Sequence, residues 1–346
     1  MYDSNYIGWD IGGAHLKIAA VNETGKLIFV EQYALPIWQG ISQLEDLIPK
    51  VLKMLPSGSN SHAVTITAEL SDIFKDREEG VHLLINVLKN KLGADVNLYA
   101  VDNGLLDLDN AKNSPSQIAS ANWHASASYT ALLTGSGVFI DIGSTTTDII
   151  SFSDNKINNR GVDDQSRLRF DELVYTGVIR TPLMALANKV PFNGEWQNIA
   201  AENFATTADI NRILSYLNEG DDLMETADGN NKDVEGSLRR LARMLGMDFI
   251  NSDDTKSLYE LAEYFEKLQL QLLTKSVLTV LSNFPDNDTK IIGAGVGSFL
   301  IKKIAQKINV PFRPFSDLCD SDEKLHHKCN VCAPAVAVAQ LNRQNL

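Results

Sequence analysis

Two short segments of this chain carry the residue types that hold phosphate. Asp10-Ile11-Gly12-Gly13 and Asp141-Ile142-Gly143-Ser144 each set an aspartate at the end of an apolar run, beside glycine. Glycine lets the backbone turn sharply and lets a phosphate approach its N–H groups, which then act as donors. The aspartate offers a carboxylate to a hydrated magnesium ion, a hard cation that prefers oxygen and keeps several waters. Asp10 and Asp141 are therefore the candidate catalytic carboxylates and the candidate magnesium ligands, acting through water. Gly12, Gly13 and Gly143 are candidate phosphate contacts, joined by the hydroxyls of Ser144, Thr145 and Thr146 and the charge of Lys17. One such turn reads as an ordinary hairpin. Two of them, 131 residues apart, read as one device used twice at domain scale.

A third cluster, Gly293-Ala294-Gly295-Val296-Gly297, follows the apolar run Ile291-Ile292 and precedes a helical stretch. Its spacing differs from G-x-G-x-x-G and it comes late in the chain, so no nicotinamide cofactor is expected. Gly293, Gly295 and Gly297 read instead as phosphate or nucleotide contacts at a helix N-terminus.

The elements that must position these residues are legible in outline. Residues 6–11, 16–21 and 27–33 read as three strands joined by turns, followed by a helical run over 41–55 that Pro49 should kink or divide. A strand at 63–67, a helix at 81–92 closed by Gly93 and a strand at 96–101 complete a β-β-β-α-β-α-β order, which suits a mixed sheet with helices on its faces. A strand at 138–143 opens the second copy, and 148–152 leaves it. Residues 171–283 turn helical, with Leu258, Leu261, Phe265, Leu268 and Leu272 at the spacing of a long amphipathic helix. Residues 218–233, polar and glycine-containing, read as a flexible loop. A small-residue helix over 333–341, with Pro334 in its first turn, closes the chain. The expectation is an α/β protein of two lobes, residues 1–132 and 133–346, with a helical insertion over about 171–283 and the glycine-rich turn at 293–298.

Composition narrows the partners. A chain of 346 residues exceeds the size at which one core stops growing, which calls for two lobes. A net charge of −13, spread along the chain, repels nucleic acid and anionic membranes, so neither is an expected partner. An anion must then be held by backbone dipoles, a few side chains and a metal. No run of apolar residues is long enough for a membrane span, and Met1 to Asn5 lack the basic stretch of a signal peptide. Three cysteines are too few for a disulfide framework, which suits a reducing cytoplasm. The sequence admits a homo-oligomer.

The order of motifs resembles the two phosphate elements and the adenosine element of the actin-like and sugar-kinase superfold, the ribonuclease H-like duplicated fold. More narrowly the chain resembles the hydantoinase/oxoprolinase family, in its tetrahydromethanopterin-linked one-carbon branch. The likeness rests on Gly8-Trp9-Asp10-Ile11-Gly12-Gly13-Ala14, Thr65-Ile66-Thr67-Ala68-Glu69-Leu70, Ala121-Asn122-Trp123-His124-Ala125 and Asp141 to Asp148. Glu172 to Gly177, Arg180-Thr181-Pro182 and Cys332-Ala333-Pro334-Ala335 complete it. Archaeal members of that branch are transferases of methanofuran biosynthesis. They join an aminomethylfuran-methyl diphosphate to the phenol of γ-glutamyltyramine and release diphosphate.

That resemblance implies roles. Magnesium and backbone N–H groups would stabilise the leaving diphosphate, and Glu69 would take the phenol proton. Thr67, Asn122 and His124 would orient the small-molecule phosphorylated substrate, although Trp123 and His124 could equally pack in an interface. Arg160, Arg167 and Arg180 are candidates for a carboxylate or diphosphate, since guanidinium pairs with both bidentately. Ala14 stands where many kinases of the superfold carry a hydroxyl, so ATP is admitted but not favoured. An ATP-dependent small-molecule kinase or hydrolase is the alternative, and a nucleotide-sensing protein without turnover is a third reading. Cys319, His326, His327, Cys329 and Cys332 lack the two tight pairs of a zinc site, and no zinc is expected.

Overall fold

The structure is a computed structural model that describes residues 4–250, 254–283 and 289–345. Met1, Tyr2 and Asp3, part of the N-terminal reading above, lie outside the described residues.

The apolar runs at the start fold as a meander: β1 (Ser4–Ile11), β2 (His15–Asn22) and β3 (Leu27–Ala34) pair antiparallel in sequence order. The chain then crosses through α1 (Ser42–Leu52) to β4 (Ser59–Ile66), parallel to β1, and through α2 (Arg77–Leu92) to β5 (Val96–Ala100), parallel to β4. The expected kink at Pro49 does not divide α1; the proline sits in its last turn and the helix stops at Leu52, so one missing N–H is tolerated. A further strand, β6 (Gly104–Asp107), returns antiparallel to β5 and gives the order β3-β2-β1-β4-β5-β6. Short helices α3 (Leu108–Lys112) and α4 (Pro115–Ile118) lead to α5 (Asn122–Thr134). Ile7, Trp9, Ile11, Val64 and Ile66 turn one sheet face onto Leu44, Ile48, Leu84 and Leu88, where burial of side chains of this size stabilises by roughly 2 kcal/mol each.

The hairpin recurs as β7 (Gly137–Ile142) and β8 (Thr147–Ser153), followed by β9 (Lys156–Ile157), α6 (Asp164–Arg169) and β10 (Leu173–Val174). A separate hairpin, β11 (Lys189–Phe192) with β12 (Glu195–Asn198), introduces the helical region α7 (Thr207–Ile213), α8 (Val234–Met244) and α9 (Thr255–Ser282). The amphipathic period of α9 is realised: Leu258, Leu261 and Phe265 pack on Ile210, Leu238 and Leu241. Then come β13 (Ile291–Ala294), α10 (Ser298–Ile308) and β14 (Phe312–Pro314), in a sheet of order β10-β8-β7-β13-β14 with β9 paired to β8. Helices α11 (His326–Val331) and α12 (Ala333–Gln344) close the chain, with proline in the first turn of α12 as expected.

Two compact units result: residues 1–139, 151–159 and 313–346, and residues 140–150 and 160–312. A cut between residues 132 and 133 does not describe them, because the tail belongs with the first unit. There α12 lies on β1, and a Cβ on Gly8 would sit 1.9 Å from the carbonyl oxygen of Ala335. The loop at 218–233 is also not the flexible segment its composition suggests. Arg212 on α7 holds Asp222 at 2.6 Å, while Arg240 and Arg243 on α8 hold Asp228 at 3.1 and 3.0 Å. Its aspartates are partners of arginines distant in sequence. Among the described residues no helix is long and apolar enough to cross a membrane.

Candidate functional site

In the first unit the site is built where β1 and β4 end side by side. The Gly12 N–H donates to the His15 carbonyl at 2.9 Å, closing the turn, and the Ile11 carbonyl accepts from the Thr67 N–H at 2.9 Å. The ends of parallel strands in an open α/β sheet are where such folds bind ligands. Asp10 is 3% exposed; its Oδ2 lies 3.7 Å from Lys17 Nζ, its register partner on β2, and Thr65 is its register partner on β4. Beyond Thr67 the chain makes one helical turn that carries Glu69, itself 1% exposed. Ser120 Oγ donates to Glu69 Oε1 at 2.7 Å from a backbone with φ of 52°, a left-handed conformation that non-glycine residues adopt at a cost of about 1 kcal/mol. A β-bridge from Ile66 to Ala119 brings the two segments together.

Asn122 and His124 open α5 just past that bridge. Asn122 Oδ1 accepts from the Trp123 N–H at 2.8 Å, and His124 Nδ1 lies 2.8 Å from Tyr99 Oη and 3.3 Å from Ser128 Oγ. Burial pushes the Tyr99 phenol up to about 12, so it stays neutral in this cluster. The edge of the Trp123 ring meets His124 at 5.2 Å between centroids. The Nδ1 side of His124 thus belongs to internal packing.

In the second unit the same geometry recurs 131 residues on. The Gly143 N–H donates to the Thr146 carbonyl at 2.9 Å, and the Ile142 carbonyl accepts from the Gly297 N–H at 2.8 Å, just past β13. Each turn is therefore closed by the same i to i+3 bond and clamped by the chain leaving the neighbouring strand. Gly295 has φ of 82°, and a Cβ there would lie 2.2 Å from Asp141 Oδ1, so the glycine-rich turn is pressed onto the aspartate. Gly293 and Gly297 face Phe312 and Ile142 at similarly short range, which gives both glycines a packing role. Ser144, Thr145 and Thr146 are half-buried, and the Ser144 carbonyl accepts from the Ile179 and Arg180 N–H groups at 3.1 and 2.9 Å. This 176–181 segment is held from behind. Gln269 Nε2 on α9 and Thr207 Oγ1 on α7 both donate to the Gly177 carbonyl, each at 2.8 Å. No short-range pattern marks Gln269 or Thr207, or Ser120, as parts of either turn.

The three arginines separate. Arg167 is 1% exposed, and its guanidinium pairs with Asp148 at 2.6 Å and donates to the Glu172 carbonyl at 3.2 Å. Such an enclosed arginine positions Asp148 and the segment after it rather than meeting a ligand from solvent. Arg160 is exposed and its guanidinium lies 4.0 Å from the Phe170 ring centroid; its N–H donates to Glu172 Oε1 at 2.6 Å. Arg180 is exposed beside the second turn. Cys319, Cys329 and Cys332 are buried free thiols, and burial pushes Cys332 up to about 12.

A magnesium ion fits this donor set in one way. Among the described residues no three His, Cys, Asp or Glu side chains cluster as a metal cage. Each turn instead offers one buried carboxylate, which suits an ion that keeps most of its water.

Residues 60–343 match the hydantoinase/oxoprolinase family. Over 341 residues the chain is 32% identical to the γ-glutamylaminoethyl-phenoxymethyl-furanyl methanamine synthase of Methanocaldococcus jannaschii, covering 98% of each chain. It is 35% identical over 158 residues to the synthase of the same name from Methanococcus vannielii, covering 46% of this chain and 70% of that one. Among solved structures, nucleotide-free acetone carboxylase superposes with a TM-score of 0.55 at 10% identity, over 96% of this chain and 69% of that one. A ROK family glucokinase from Streptomyces griseus, in complex with glucose and AMPPNP, superposes with a TM-score of 0.50 at 15% identity, over 98% and 99%. These two likenesses establish the actin-like, sugar-kinase fold.

Proposed function

The chain belongs to the hydantoinase/oxoprolinase family, and from that premise we propose that it is the synthase that builds the aryl ether of a methanofuran-type cofactor. The observation that carries this reading is the 32% identity to the M. jannaschii synthase over 98% of both chains. The two matched turns support the finer assignment of a transferase that displaces diphosphate from an aminomethylfuran-methyl carbon.

In this reaction the phenol oxygen of a γ-glutamyl-tyramine or tyrosine-type acceptor forms a bond to the furan-methyl carbon. The bond from that carbon to the diphosphate oxygen breaks, and its electron pair leaves with diphosphate. The phenol proton passes to Glu69, whose other oxygen is held by Ser120. In the first turn the Gly13 N–H would meet a phosphate oxygen and Lys17 adds charge, and in the second the hydroxyls of Ser144, Thr145 and Thr146 would do so, because the Gly12 and Gly143 N–H groups close their own turns. A magnesium ion held through water by Asp10 in the first turn, or by Asp141 in the second, would supply further charge neutralisation on the departing diphosphate. Thr67 and Asn122 in the first unit would orient the acceptor, and the exposed Arg180 beside the second turn would meet a phosphorylated donor.

The test is direct. With magnesium, the furan-methyl diphosphate and a γ-glutamyl phenol, the enzyme should release diphosphate and form the ether in equal amounts without ATP. ATP hydrolysis or phosphorylation of an acceptor, with no ether from the diphosphate, moves the chain to the kinase or hydrolase reading.

A further inference from the structure

One polar row crosses the first sheet. Lys17 on β2, Asp10 on β1 and Thr65 on β4 are register partners, so their side chains share one face. Lys17 and Asp10 form a pair at 3.7 Å. Thr65 is fully buried, and its Oγ1 has no hydrogen-bond partner among the described residues. A buried hydroxyl left unmade costs roughly 1–3 kcal/mol, and a valine would fill the same β-branched space without that cost. Nothing in the packing of β4 calls for the oxygen. The residue just before the tail helix completes the surroundings: the buried Cys332 thiol, close enough to feel the charges of Asp10 and Lys17, is neutral and adds no charge to the row.

We infer that Thr65 is a ligand-contacting residue of the first turn, its hydroxyl hydrogen-bonding an oxygen of bound magnesium diphosphate beside Asp10. The inference rests on the diphosphate reading of the turn. The row then has three complementary parts: Lys17 supplies positive charge, Asp10 an acceptor for metal-bound water, and Thr65 a neutral group that donates or accepts. A hydroxyl that can reverse its role suits a site whose occupant carries both phosphate oxygens and ordered water.

The test uses the full chain with Thr65→Val and Thr65→Ser, titrated with inorganic diphosphate by calorimetry, with magnesium and with the metal chelated. Thr65→Val should melt at or above the wild-type temperature, since it removes an unmet polar atom. Its affinity for magnesium diphosphate should fall about tenfold or more, the worth of one hydrogen bond to a charged group, and Thr65→Ser should retain most of it. Wild-type affinity in Thr65→Val would overturn the inference and leave the proposed reaction standing. A melting temperature lowered in Thr65→Val, with binding unchanged, would show that the hydroxyl serves the fold and would overturn it equally. Wild type that binds no diphosphate under any of these conditions would overturn the reading of the turn, and this inference with it.

Discussion

Gly8 in the first strand and Ala335 in the last helix are in backbone contact: a Cβ at residue 8 would lie 1.9 Å from the Ala335 carbonyl oxygen and 2.6 Å from the Ala339 nitrogen. Neither neighbour is a flexible side chain that could swing away. Gly8→Ala must therefore lift α12 from the sheet, and overpacking of this kind costs about 1–3 kcal/mol or more. Chemical denaturation should show that loss, whereas Gly135→Ala, with only Asn155 near its Cβ, is strained by its φ of 82° alone and serves as the comparison.

Asp10→Asn and Asp141→Asn should each lower magnesium-dependent turnover by about a hundredfold or more while the circular dichroism spectrum stays that of wild type. Both aspartates are buried at matching points of the two turns. Unchanged rate and magnesium dependence in both variants would remove them from the mechanism.

Glu69→Gln should slow ether formation by roughly a hundredfold or more and spare diphosphate binding, if Glu69 is the proton acceptor. Ser120→Ala should have a smaller effect in the same direction, since it removes one hydrogen bond to the carboxylate and relieves nothing of the backbone conformation at residue 120. A variant pair that alters diphosphate affinity and not the rate would place these residues with the substrate instead.

His62 gives the first unit a defined response to acid. Burial lowers its pKa from 6.5 to about 4, and Trp9 Nε1 donates to its Nδ1 at 3.1 Å. The unfolded chain binds this proton at a higher pH than the folded one, so stability is complete above about pH 6.5 and is lost as pH falls toward 4. The effect is on the order of 3 kcal/mol at most. His62→Gln should flatten that part of the stability profile measured by denaturation between pH 4 and 7.

Arg240, fully buried, joins Asp209 at 2.8 Å to Asp228 at 3.1 Å. Arg240→Ala leaves Asp209 to Arg212 at 3.5 Å and Asp228 to Arg243 at 3.0 Å, and should destabilise the helical region by about 1–3 kcal/mol. Limited proteolysis should then cut within 218–233, where the wild type resists.

How much of this was legible beforehand depended on the range of the interaction. The two turns could be read from local sequence, because aspartate, glycine and an apolar run are all that each needs. Their equivalence is now visible in hydrogen bonds, Gly12 to His15 and Gly143 to Thr146. Helix α5 gave no periodic signal because Trp123, Ala125, Ala127 and Tyr129 are buried around much of its circumference, leaving no polar face to mark it. Residues 218–233 read as a flexible loop because their aspartates and the arginines that hold them are separated in sequence. Thr65 and Gln269 matter through register and long-range packing, which no run of neighbouring residues encodes.

The place of α12 has a consequence for biogenesis. The face of β1 that bears Gly8 and Asp10 leaves a ribosome more than three hundred residues before the helix that covers it. At ordinary synthesis rates the bare face waits on the order of tens of seconds for its cover. The first unit is thus finished after the second has been translated, and a nascent chain stalled before α12 offers an uncovered, half-built sheet to chaperones.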